Sequence, residues 1–185
     1  MGEQHKKHSR REHLNDFHLN IAGEYVYDGA LYACQNDDAK QRRSKRAVWG
    51  MAAILTVAVT AGGCIPAPGM QNCFYVLLPY LGEFLGAASV IWALAKLGTD
   101  WSTVREYNYK KSVAVLPVRT AVTAVFSGLG IVCELIFFFV NDHAGQTFFA
   151  LLYVLLKLIA LLSVLVLRAE IMQAEWDKLP KKNNF

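Results

Sequence analysis

Four long apolar runs divide the chain, near 47–65, 74–97, 113–140 and 147–168, and polar segments separate them. Each is long enough to cross a hydrocarbon core, which takes about 20 apolar residues in a helix. The pattern predicts an all-α integral membrane protein built as a four-transmembrane-helix bundle, flanked by a polar segment over 1–46 and a tail over 169–185. The third run is longer than a crossing requires, so it either tilts or begins at the interface.

Charge adds an orientation. The chain has 185 residues, 54% hydrophobic and 18% charged, against roughly 25% charged in a soluble domain. Nine of its 19 Lys and Arg precede residue 47, and Arg168, Lys178, Lys181 and Lys182 lie in the last 18 residues. Lys40, Arg42, Arg43, Lys45 and Arg46 abut the first run, and Arg105, Lys110 and Lys111 occupy the connection 98–112. The connections 66–73 and 141–146 hold no Lys or Arg. Basic loops stay on the cytoplasmic side, so both termini are expected in the cytoplasm of a multi-pass cell-membrane protein, read as a bacterial plasma membrane. The basic ends suit anionic headgroups at about 1 kcal/mol per nearby cation. Membrane lipids are thus the expected partners, and nucleic acid is not.

The first run resembles a lipoprotein signal, with a basic flank, an apolar core and Ala61-Gly62-Gly63 before Cys64. Signals of that kind sit at the extreme N-terminus, whereas 46 residues precede this core, so a retained start-transfer helix is expected. Myristoylation fails because Lys6 stands where Ser or Thr is needed.

The polar segments carry weaker signals. His5, His8, His13 and His18 match no common zinc spacing, and no metal or cofactor is expected. Residues 24–35 read either as a β-hairpin, with Asp28-Gly29 as a type I′ turn between two Tyr-rich runs, or as a short helix. Cys64 and Cys73 bracket a short non-cytoplasmic connection where a disulfide is chemically allowed. Thr103 and Glu106 have capping-box spacing. Trp101, Tyr107 and Tyr109 suit an interfacial aromatic belt, and Ile171, Met172 and Trp176 suit a helical extension lying on headgroups.

Four charged residues fall within the apolar runs away from their ends: Glu83, Arg119, Glu134 and Lys157. At about 1.5 Å per residue, Glu83, Glu134 and Lys157 lie roughly 12, 9 and 15 Å from the non-cytoplasmic end. Arg119 lies in the opposite half, where it can snorkel to headgroups as a structural anchor. A lone charge in hydrocarbon costs about 2.5–3.5 kcal/mol on insertion scales. Lys157 is therefore expected to meet Glu83, Glu134 or both inside the bundle, unless it pairs with a carboxylate of another protein. Two acids facing one base leave one carboxyl free to titrate. Gly82-x-x-x-Gly86, and more weakly Ala124-x-x-x-Gly128 and Ala58-x-x-x-Gly62, mark close helix approaches.

No Walker loop, nucleophile elbow, zincin helix or paired-cysteine site is present, and an enzyme is not expected. Two classes remain. The first is a component of a membrane transport assembly whose polar site is the Glu83/Glu134/Lys157 level. It would act as a homo-oligomer or with other membrane-protein subunits. The second is a non-catalytic accessory, assembly or immunity protein that binds other membrane proteins.

Overall fold

The computed structural model describes residues 17–19, 23, 25–27, 29–98, 100–141 and 147–179. His5, His8, His13, Asp28 and the tail beyond 179 lie outside them, as does most of the connection 141–146. Among the described residues, four helices are long and apolar enough to cross a membrane. They are α1 (Asp38–Cys64), α3 (Phe74–Leu97), α5 (Leu116–Val140) and α6 (Thr147–Met172). Two short helices lie between them, α2 (Pro68–Asn72) and α4 (Glu106–Lys111).

Helix α3 coincides with the second apolar run. Its end is set by Gly98, whose φ of 70° is open to glycine alone at low cost, and whose N–H bonds Leu94 O at 3.0 Å. Pro117 stands in the first turn of α5, where its missing N–H leaves no intrahelical bond unmade. Helix α1 begins nine residues before the apolar run, because the basic stretch is itself helical. The Pro68–Asn72 turn was read as plain connection, and it is helical. Glu106 begins α4 without a side-chain cap, so the Thr103–Glu106 capping box is not formed.

Helix α1 packs on α6, α6 on α5, and α5 on α3, and α1 and α3 close the ring with a slighter contact. The inward faces repeat at three and four residues. In α5 they are Leu116, Thr120, Thr123, Ser127, Gly130, Glu134 and Phe137. In α6 the repeat runs Ala150, Tyr153, Lys157, Ala160, Val164, Leu167 and Ile171. A period near 3.5 keeps one stripe facing its neighbours along a left-handed bundle. Large apolar side chains such as Leu81, Leu85, Val125 and Leu162 point outward and are exposed, as a lipid-facing surface requires.

The end of the bundle where α1 begins and α6 ends is closed by strands drawn from three separate segments. These are β3 (Leu31–Cys34), β4 (Val104–Arg105) and β5 (Trp176–Lys178), paired antiparallel in the order β4-β3-β5. Strands β1 (Phe17–Leu19) and β2 (Tyr25–Tyr27) form a separate antiparallel pair. This corrects the expected hairpin. Tyr25–Tyr27 pairs backwards with Phe17–Leu19 and not forwards across Asp28-Gly29. Gly29 does not have positive φ, so the type I′ turn is not made. The helical alternative for 24–35 fails as well.

The aromatic-belt expectation is also corrected. Trp101 is 1% exposed and packs on Trp176 at 5.8 Å. Tyr109 stacks on Tyr32 at 4.2 Å and meets Trp176 at 5.9 Å. Ile171 is buried here too, and Met172 remains exposed. In the loop beside Trp101, the N–H and hydroxyl of Ser102 donate to Asp100 Oδ1, which holds that carboxyl below the usual carboxylate range. Near the same end Ser44 Oγ donates to Glu170 Oε2 at 2.8 Å and ties α1 to α6. Ser44→Ala is expected to cost about 1.5–3 kcal/mol, the worth of a hydrogen bond to a charged group, read from thermal unfolding in mild detergent.

Candidate functional site

Helical register places the three midspan charges. Lys157 stands three turns into α6, and Tyr153, four residues earlier, shares its face. Glu83 lies in α3 with Tyr80 three residues before it. Glu134 lies in α5 one turn beyond Gly130. All three charged side chains are sequestered, at 2% exposure for Lys157 and 0% for Glu83 and Glu134.

The ammonium of Lys157 donates to Oε2 of Glu83 in a buried ion pair. Helices α3 and α6 are opposite members of the ring, so the pair crosses its diagonal. The Lys157 Nζ also lies 4.6 Å from the ring centroid of Tyr80 and 5.1 Å from that of Tyr153. These separations are within the roughly 6 Å at which a ring face attracts a cation. The lysine is thus held by one carboxylate and two aromatic faces. Its stem runs along the backbone of α5, where a Cβ added at Gly130 would lie 3.7 Å from Cε and 3.8 Å from Nζ. Ser127 Oγ donates to the Lys157 carbonyl at 3.3 Å.

Glu134 is placed differently. Its carboxyl lies against Gly69 of α2, so closely that a Cβ there would collide with Oε2. The Gly69 N–H lies beside it without meeting hydrogen-bond geometry, and both carboxyl oxygens lack a hydrogen-bond partner among the described residues. Glu83 Oε1 and the Tyr153 hydroxyl are buried and unpartnered as well. Leaving such a group unsatisfied costs about 1–3 kcal/mol for a neutral one and more for a charge. Four buried oxygens near this ion pair lack a hydrogen-bond partner among the described residues and leave the region with unused bonding capacity.

The expected meeting of Lys157 with an acid of another helix is made, and the acid is Glu83. Arg119 Nη1 donates to Ser89 O at 2.7 Å and ties α5 to α3. Gly82 and Gly86 sit at the α3–α5 contact, against Phe126 and Thr123. Gly128 meets nothing within 4 Å, so the Ala124–Gly128 pair is not a close approach. The glycine of α5 that matters is Gly130. Gly62, with a Cβ position 3.9 Å from Tyr153, lies over the aromatic pair. Cys64 and Cys73 are separate thiols, the first exposed, and the disulfide that the sequence allowed between them is not formed. Tyr80 and Tyr153 were missed from the sequence. Their spacing of three and four residues from Glu83 and Lys157 was the available signal.

A buried ion pair is a poor source of net stability, since desolvation of both partners offsets their attraction. The centre holds helix register across the diagonal, and it offers one carboxyl that the lysine does not occupy. Comparison with protein-family models, with curated proteins and with solved structures finds no match.

Proposed function

We propose that the protein is a component of a membrane transport assembly that crosses the bilayer four times with both termini in the cytoplasm. Glu83, Glu134 and Lys157 are its polar site. One observation carries this: Glu134 is fully buried, close to the Lys157–Glu83 ion pair, with neither oxygen hydrogen-bonded among the described residues. A structural brace needs one acid for one base. A second carboxyl kept in an apolar bundle is explained by a proton or solute that it takes up and releases. The orientation rests on the Lys and Arg of 40–46 and 98–112 and on Lys178, which lie at the end of the bundle that holds strands β3, β4 and β5. The outward aliphatic faces suit lipid, a second copy or neighbouring subunits equally.

The test uses purified protein in sealed vesicles under an imposed pH gradient, with the membrane potential clamped. Wild-type protein should dissipate the gradient faster than protein-free vesicles, and Glu134→Gln should remove the difference. A wild-type rate equal to that of empty vesicles overturns the transport assignment.

A further inference from the structure

The surroundings of Lys157 describe a ligand site whose present occupant is the protein's own side chain. One carboxylate and two aromatic faces around a desolvated ammonium form a recognition set for organic ammonium groups, where the ring quadrupoles attract the cation and the carboxylate fixes its position. A structural ion pair requires no aromatic faces. Tyr80 and Tyr153 nevertheless come from two different helices to flank the same nitrogen. Glycines cover them from α1: Tyr80 lies against Gly63, and Tyr153 against Gly62.

We infer that the Glu83–Tyr80–Tyr153 box binds a diffusible primary ammonium compound in exchange for the ammonium of Lys157, which moves to Glu134. This rests on the transport assignment and names its substrate class. Glu134 is the second seat for the lysine. The lysine stem passes Gly130, and Glu134 is four residues further along the same face of α5, about 6 Å along the helix axis. Its oxygens are free to receive the ammonium.

Charge balance sets the stoichiometry. With the box filled by Lys157, one ammonium faces one carboxylate, and Glu134 is accommodated as the neutral acid, because an unpaired buried carboxylate has no compensation for its lost hydration. With a ligand ammonium in the box, two cations face two carboxylates. Glu134 must then lose its proton, so one cation enters as one proton leaves. The other titratable groups facing the centre are thiols and phenols. Cys64 lies near Tyr80, Cys133 near Tyr153, and Tyr75 near Glu134. No further Lys, Arg, Asp or Glu among the described residues faces it. Affinity for the ligand therefore rises with pH, by up to about tenfold per unit while Glu134 remains protonated.

n-Propylammonium reproduces the part of Lys157 beyond Cβ and is the probe. Titrated calorimetrically into detergent-solubilised wild-type protein, in buffers of differing ionisation enthalpy, it should bind saturably and release one proton. Glu83→Gln should abolish binding. A heat no larger than that of sodium chloride, or binding without proton release, overturns the exchange. Independently, n-propylammonium should raise the melting temperature of Lys157→Ala and leave Lys157→Ala/Glu83→Gln unchanged, and equal responses overturn the box. If Lys157→Ala does not fold, the wild-type titration decides alone. Proton flux without ammonium binding would remove this inference and leave the transport assignment standing. Binding without flux would do the reverse.

Discussion

Replacing Lys157 with alanine is expected to lower the stability of the detergent-solubilised protein by about 3–5 kcal/mol, the loss that follows when one partner of a buried pair is removed. The large effect comes from the residue left behind. Glu83 is fully buried, its Oε2 loses the ammonium, and its Oε1 has no other partner. The loss should therefore depend on the charge at position 83. Lys157→Ala/Glu83→Gln should recover much of it, because a neutral amide is cheaper to bury than an unpaired carboxylate. Lys157→Ala/Glu134→Gln should recover little. The measurement is a double-mutant cycle from thermal unfolding followed by near-ultraviolet circular dichroism. Recovery by Glu134→Gln in place of Glu83→Gln would assign the ammonium to the other acid and remove the diagonal brace.

The second large effect is expected at Gly86. A Cβ there would lie 2.6 Å from Thr123 Oγ1 and 3.3 Å from Thr123 Cα. The hydroxyl can rotate away, but the α5 backbone cannot. Gly86→Val should force α3 and α5 apart and cost about 1–3 kcal/mol, as overpacking does. Gly128→Val is the matched control. Gly128 has open space beside it, and the change should stay within about 0.5 kcal/mol. Equal losses at the two positions would show that β-branching in the helix, and not the close approach, governs the effect. Because α3 carries Glu83, Gly86→Val should also weaken the coupling between Glu83 and Lys157.

Much of this was legible along the chain. The second apolar run is α3 without a residue of difference, because hydropathy starts and stops at the helix ends. The level of Glu83, Glu134 and Lys157 followed from helix rise, and so did their need for company. The face carrying Tyr80 and Tyr153 was within reach of the same register. Trp101 and Trp176 were misplaced for a definite reason. A tryptophan beside an apolar run suits a headgroup belt by composition, and only pairing among three distant segments builds a cover that buries it. The Asp28-Gly29 signal was likewise local, and Tyr25–Tyr27 found a better partner upstream.

The sequence by itself determined how many helices are apolar enough to cross, the position of each charge along its helix and the asymmetry of Lys and Arg, since hydropathy is a property of each segment separately and rise per residue is constant. Tertiary structure alone decided which acid holds the lysine, that the contact runs across the ring, and that Glu134 is left against Gly69. Those outcomes depend on the rotation of each helix about its axis and on the order of helices in the ring. Both are set by close contacts such as Gly86 on Thr123, which link residues far apart in the chain.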